Sequence, residues 1–201
     1  MSAGRPVRAG EAAQPGCASR LGQAPQLPRA GEAARTPRPM RRARRAVTSA
    51  EELAAIIERC DVVRVGSCDA EGPFIVPMSF GFERGERDGR PVWTFWLHSA
   101  QEGRKADAWR ADPRVALELD VPVGVIKGDF ACAYSFAYES VMATGTVTPV
   151  TDEAEKRRGL ALIMAHMAPD QPATFPDEAV RRVAVWRVDV EEGSLTGKRR
   201  T

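Results

Sequence analysis

The 201-residue chain has no run approaching the roughly 18 consecutive apolar residues of a membrane-spanning helix, which excludes an integral helical membrane protein. It has two histidines, too few for a His-rich metal site, and no metal centre is expected. Its four cysteines are scattered and none forms a CxxC pair. Zinc fingers and thioredoxin-like redox motifs are therefore excluded, and a disulfide framework does not suit a chain of this length. A reducing, cytoplasmic setting is the expectation. No internal repeat is visible.

Charge is unevenly spread. Residues 1–46 hold ten arginines and two glutamates, a formal +8, which leaves −6 for the rest of a chain whose net charge is +2. The same stretch has six prolines, no aromatic residue and no hydrophobic period, so it is expected to be a disordered basic extension. No apolar segment follows its first charges, so it does not read as a secretory signal. Its two serines and lack of an amphipathic stretch fit a transit peptide poorly. Arg41, Arg42, Arg44 and Arg45 could contact phosphates as a nucleic-acid arm, but the acidic body argues against nucleic acid as the main partner. The simplest reading is an unstructured extension, with a start near Met40 as its corollary.

Residues 47–201 read as one domain. Thr48 and Glu51 form a capping-box pattern ahead of Leu53, Ile56 and Ile57 at helical spacing. Val62–Gly66, Phe74–Phe82 and Val92–Leu97 read as strands of an antiparallel meander, with Pro77 requiring an edge or a bulge. Glu83–Arg90 reads as a polar loop. Ser99, with Glu102 three residues on, is the expected cap of a second helix that ends before Pro113. Val115–Leu119 alternates as a fourth strand, Pro122–Asp129 reads as loop, and Tyr138–Val150 as a fifth strand bent at Gly145. A third helix over Asp152–Met167 should bury Leu160, Ile163, Met164 and Met167, and prolines keep the next loop irregular. Val183–Val190 is the sixth strand. Six strands with helices between them and no βαβ rhythm predict an α+β fold, a mainly antiparallel barrel with flanking helices.

The stretch Phe74–Lys105 carries the chemistry. It places a strand end, a helix start and two adjacent cations, Arg104 and Lys105, within a few residues. A helix start offers N–H groups and partial positive charge, Arg104 a fork of donors and Lys105 a point charge, so the junction suits a phosphate. Adjacent helix charges are also common as plain solvated residues. Cys60, Cys68 and Cys132 lack nucleophile partners and read as buried small hydrophobes, His166 as structural, and Trp93–Trp96 as barrel core.

Ile75-Val76-Pro77-Met78-Ser79-Phe80-Gly81-Phe82, Trp96-Leu97-His98-Ser99-Ala100 and Glu102-Gly103-Arg104-Lys105 occur in an order that resembles a known family. It is that of the pyridoxamine 5′-phosphate oxidase-like flavoproteins, in the nitroimidazole-resistance (NimA-type) branch. Asp112-Pro113-Arg114-Val115, Ser140-Val141 with Gly145, and Gly197-Lys198-Arg199 extend the likeness to roughly residues 40–200. The resemblance implies a six-stranded split β-barrel that forms a homodimer with FMN across the interface. By position, Ile75, Val76, Pro77, Met78 and Ser79 would flank the isoalloxazine, and His98 and Ser99 would lie near the ring and ribityl chain. Arg104 and Lys105 would take the phosphate, and Ser140 and Trp186 would approach the cofactor from later strands. The C-terminal Arg-rich substrate motifs of true pyridoxamine phosphate oxidases are missing from Arg181–Lys198, which argues against vitamin B6 oxidation.

The expected activity is FMN-dependent reduction of small nitroaromatic (nitroimidazole-like) or quinone-like molecules with NAD(P)H or another reductant, with His98 touching substrate. The alternatives are a flavin- or haem-binding carrier or sensor, since one histidine suffices for haem iron, and a deazaflavin-dependent reductase using the same phosphate site. Neither membrane nor specific nucleic-acid partners are expected.

Overall fold

The computed structural model describes residues 40–87 and 89–201. Residues 1–39, most of the expected extension, lie outside the described residues, as does Cys17. Ala43–Arg45 forms a 3-10 turn, and Ala46–Val47 is a short strand, β1, whose residues pair with Lys198 and Gly197 near the C-terminus. The folded domain thus takes in the last residues of the stretch read as extension.

Helix α1 (Ala50–Glu58) buries Leu53, Ile56 and Ile57, as their spacing requires. Its cap is Ser49, not Thr48: the Ser49 hydroxyl accepts from the Glu52 N–H at 3.4 Å. Two successive hydroxyl residues each precede a glutamate by three positions, so spacing alone cannot choose between them.

Two hairpins follow, β2 (Val63–Asp69) with β3 (Gly72–Met78), and β4 (Phe80–Arg87) with β5 (Arg90–Ser99). The expected Phe74–Phe82 strand is therefore two strands parted at Ser79, and the three-strand meander does not form. Helix α2 (Arg104–Ala111), β6 (Arg114–Ile126), β7 (Ser135–Val150), α3 (Glu153–Met167), α4 (Asp177–Arg182), β8 (Ala184–Glu191) and β9 (Thr196–Arg200) complete the chain. The sheet has nine strands rather than six, the main path running β3-β2-β6-β7-β8-β5-β4. Its two end strands, β3 and β4, are joined by the single residue Ser79. Consecutive Cα atoms are only about 3.8 Å apart, so the ends of the sheet must meet, and the sheet curls into a barrel split at that seam. Pro77 lies on end strand β3, where its missing N–H breaks no ladder on the open side.

Two expected loops are strand. β4 runs through Glu83, Arg84, Glu86 and Arg87, with Arg87 opposite Arg90. On an end strand such charges face solvent and discourage edge pairing, so polarity that reads as loop is edge protection. β6 continues to Ile126 across an irregularity between Pro122 and Gly124. β7 is continuous through Gly145, where an added Cβ would lie 2.8 Å from the Asp189 carbonyl oxygen. That glycine serves a close approach to β8 rather than a bend.

Trp93, Phe95, Leu97, Phe80, Trp186 and Val188 fill the barrel, closed at one end by α1. On the other face of β5, Trp96 packs with Val150, Ile163 and Val185 under α3. Strand β5 is buried on both faces from Val92 to Leu97, which explains an apolar run interrupted only by Thr94, whose hydroxyl reaches Asp189. Of the expected α3 stripe only Ile163 is fully buried: Leu160 and Met164 are half-buried and Met167 is 52% exposed, while its neighbour His166 faces Phe80 of β4. The proline-rich segment after α3 contains the short α4 instead of remaining wholly irregular. No helix among the described residues is long and apolar enough to cross a membrane.

Candidate functional site

Alternation along β3 sends successive side chains to opposite faces. Phe74 and Val76 line a cavity of about 290 Å³ together with Ala100, Glu102, Gly103, Arg104 and Lys105. Ile75 lines a separate cavity of about 610 Å³ with Gly66, Ala116, Met142 and Lys198.

The charged cavity is built where β5 hands over to α2. Gly103 caps the helix at φ +115°, a conformation that favours glycine, and no side chain caps the first turn. Ser99 and Glu102 do not form the expected cap, because β5 extends through Ser99 and the helix waits until after Gly103. The Ser99 hydroxyl instead donates to the Ala100 carbonyl at 2.7 Å and accepts from the Trp186 indole N–H at 2.9 Å. Trp186 is buried, edge-on to Trp109 of α2 at 5.2 Å, with the Arg110 guanidinium 5.5 Å from its ring. These contacts tie the last turn of α2, and Ser99 ahead of the helix, to the core.

Arg104 lies over the Phe74 ring at 4.5 Å. Its Nε and Nη2 donate to Asp69 at 2.7 and 2.9 Å, and Nη1 is 3.4 Å from the Glu71 carboxylate. The Arg104 hydrogen bonds hold the Asp69 carboxyl below the usual carboxylate range. Lys105 is half-buried, and no carboxylate pairs with it among the described residues. Desolvation, helped by the Lys105 cation, lowers the His98 imidazole from its ordinary value. A guanidinium seated on a ring, a neighbouring ammonium and an uncapped helix start form a donor set suited to an anion with several oxygens, such as a phosphate monoester.

The residues expected around a cofactor are thus divided. Val76, Arg104 and Lys105 share one cavity, and His98 is within electrostatic reach of Lys105. Ser99 and Trp186 bond to each other. Ile75 is on the opposite face, exposed Pro77 is across from Arg64, and Met78 is buried in the core. Ser79 sits at the seam, and Ser140 is buried on β7 between Asp120 and Lys198. Sequence reasoning missed Asp69 and Phe74. Asp69 reads only as part of a turn, and its approach to Arg104 spans 35 positions.

Cys60 is buried, and burial pushes its thiol up to about 11, but Cys68 and Cys132 are exposed, contrary to expectation. Cys68 lies near the end of β2 and Cys132 in a 3-10 turn, where little packs over them. His166 lies 2.8 Å from the Cys60 carbonyl oxygen and 4.2 Å from the Phe80 ring, a structural placement. No cluster of potential metal ligands occurs among the described residues.

A barrel split at one residue, with a cationic helix start beside its end strand, defines a split-barrel protein. The chain belongs to the pyridoxamine 5′-phosphate oxidase family, whose model matches residues 49–198. It is similar to the crystal structure of a candidate 5-nitroimidazole antibiotic resistance protein from Bacteroides thetaiotaomicron, at 36% identity over 76% of this chain and 85% of that one, with a TM-score of 0.61. Likeness of fold alone extends to the flavocytochrome Anf3 from Azotobacter vinelandii (22% identity, 81% and 72% covered, TM-score 0.64). It extends also to an FAD and heme binding protein from Mycobacterium smegmatis (18% identity, 77% and 73% covered, TM-score 0.65). Among curated proteins, none matches.

Proposed function

We propose that the chain is an FMN-dependent oxidoreductase acting on small nitroaromatic or quinone-like molecules as a homodimer. The observation that carries this reading is the charged cavity, where Arg104 and Lys105 meet the β3 side chains Phe74 and Val76. The likeness to the nitroimidazole resistance protein supports the acceptor class. FMN would supply the hydride chemistry, accepting from NAD(P)H and passing electrons to the acceptor. Arg104 and Lys105 bind its phosphate, and Phe74 keeps the guanidinium flat against the strand. His98, biased toward its neutral form, offers substrate a hydrogen bond.

The homodimer reading draws on the other cavity. Ile75 and Met142 stand on the outer face of the sheet, 68% and 46% exposed, and line the same apolar cavity. A second copy would cover it and complete a pocket between subunits.

Purified protein should carry a flavin spectrum, release FMN by mass, and consume NAD(P)H when given a nitroimidazole or a quinone. No turnover with any such acceptor would overturn the enzymatic reading and favour a carrier or sensor. An intense Soret band, or a released deazaflavin, would replace FMN as the ligand.

A further inference from the structure

We infer that Asp69 is the positioning residue of the phosphate corner: by gripping one edge of Arg104 it commits the rest of that guanidinium to an incoming phosphate. It thereby sets the preference for FMN over unphosphorylated riboflavin. The inference rests on the reading that Arg104 and Lys105 hold the FMN phosphate.

An arginine side chain on a helix start is free to sample many rotamers, and ordering it costs entropy. Here that ordering is built in before any ligand arrives. Asp69 takes the Nε and Nη2 donors in a two-pronged grip, and the Phe74 ring lies against the guanidinium at 4.5 Å. Asp69 is itself anchored, since its Oδ1 also accepts from the Glu71 N–H at 2.9 Å. The carboxylate is therefore a fixed post at the end of β2 and cannot swing with the arginine. A guanidinium has five N–H donors, so the grip leaves three, two on Nη1 and one on Nη2. The nearest acceptor to Nη1 is Glu71 at 3.4 Å, whose side chain is 77% exposed and readily replaced by an anion. Lys105 lines the same cavity and makes no ion pair with a carboxylate among the described residues, although the exposed Glu102 lines that cavity as well. The two cations thus divide the work: Lys105 attracts, and Arg104, steered by Asp69, reads the phosphate oxygens.

Asp69→Asn is the informative variant, because an asparagine carbonyl can still accept from the Glu71 N–H and keep the turn. FMN and riboflavin are titrated by flavin fluorescence into wild type, D69N, R104A and the double variant, with thermal melts alongside. D69N should bind FMN about tenfold more weakly, bind riboflavin within about twofold of wild type, and add nothing in the R104A background. Unchanged or tighter FMN binding by D69N would overturn the inference, the last because it would make Asp69 a competitor of the phosphate. Equal losses for both flavins, or full additivity with R104A, would also overturn it. If R104A alone leaves FMN binding intact, the phosphate corner itself is lost. If R104A weakens FMN while D69N does not, only the role of Asp69 falls. Should D69N not fold, Asp69→Glu keeps the charge but moves the grip, and FMN affinity should again drop while riboflavin binding holds; unchanged FMN affinity there overturns the inference as well.

Discussion

Phe74 and Val76 of β3 line a charged cavity of about 290 Å³, whereas Ile75 between them lines an apolar one of about 610 Å³. The first draws its cations, ring and glycine from β3 and the start of α2, and the helix is tied to Trp186 in the core. The second is a mainly apolar sheet face whose lining also includes the charged Arg64, Glu118 and Lys198. One strand therefore lines a charged corner with one face and an apolar cavity with the other. Four experiments bear on that contrast.

The largest effect is expected where the corner is anchored. Trp186 is almost fully buried, packs on Trp109 and bonds Ser99. Trp186→Ala should cost about 3–5 kcal/mol in urea unfolding, with Trp186→Phe costing less because an aromatic ring remains and only the indole hydrogen bond and part of the ring volume go. A loss below about 1 kcal/mol for the alanine variant would mean that the corner does not depend on the core.

The second experiment removes the corner's charge. Replacing Arg104 and Lys105 together with alanine should weaken FMN binding at least ~100-fold while riboflavin binding holds, since only FMN carries the phosphate. Plain solvated helix charges would shift FMN affinity by less than about threefold, so titration of both flavins separates the readings.

Much of this architecture is legible in the sequence, and what is not has identifiable causes. The apolar stripe of α1 and the alternation of β6 and β8 follow from local periodicity. The pairing of Arg104 with Lys105 at a helix start is local too, and survives even though the cap is Gly103 instead of Ser99. The split at Ser79 is not legible, because Phe74–Phe82 stays extended on both sides of the seam and only the distant partners of β3 and β4 reveal the break. Charged β4 looks like a loop until its edge position is known. Asp69 escapes because its role depends on a contact between the end of β2 and a helix 35 residues away.

The third experiment concerns strand β9, which floors the apolar cavity through Thr196 and Lys198. Buried Glu139 of β7 accepts from Arg59 and from Arg199 of β9, and Arg199 also reaches Glu52 at 2.9 Å. Desolvation pushes the Glu139 carboxyl up, but the hydrogen bonds from Arg59 and Arg199 outweigh it and hold the group below the usual range. A carboxyl whose folded pKa is depressed stabilises the fold above its unfolded pKa, about 4.3, and that contribution is lost as pH falls through the folded value. Glu139→Gln should cost about 1–2 kcal/mol at pH 7 and flatten the acid limb of stability below about pH 4.3. An acid limb identical to wild type would take Glu139 out of the account of β9.

The smallest effect is expected at the cover itself. Ile75 is 68% exposed and Met142 46% exposed, both lining the apolar cavity, and neither is needed by the packed core. Ile75→Lys places a charge on an end strand, where lysine is well tolerated in a monomer, so the fold should survive with a melting temperature close to wild type. Within a homodimer the same lysine would be buried against an apolar partner surface and would have to be desolvated without a counter-charge. The dimer dissociation constant, read by sedimentation or by light scattering over a dilution series, should rise about tenfold, with Met142→Glu acting in the same direction. FMN affinity, which depends on the other face of β3, should change less than the dimer constant. An unaltered dimer with both variants would mean that a second copy covers some other surface, and a loss of folding would mean that Ile75 belongs to the monomer core. A dimer that weakens while the charged corner still binds phosphate would establish the two faces of β3 as separable, one built for a ligand and one for a partner.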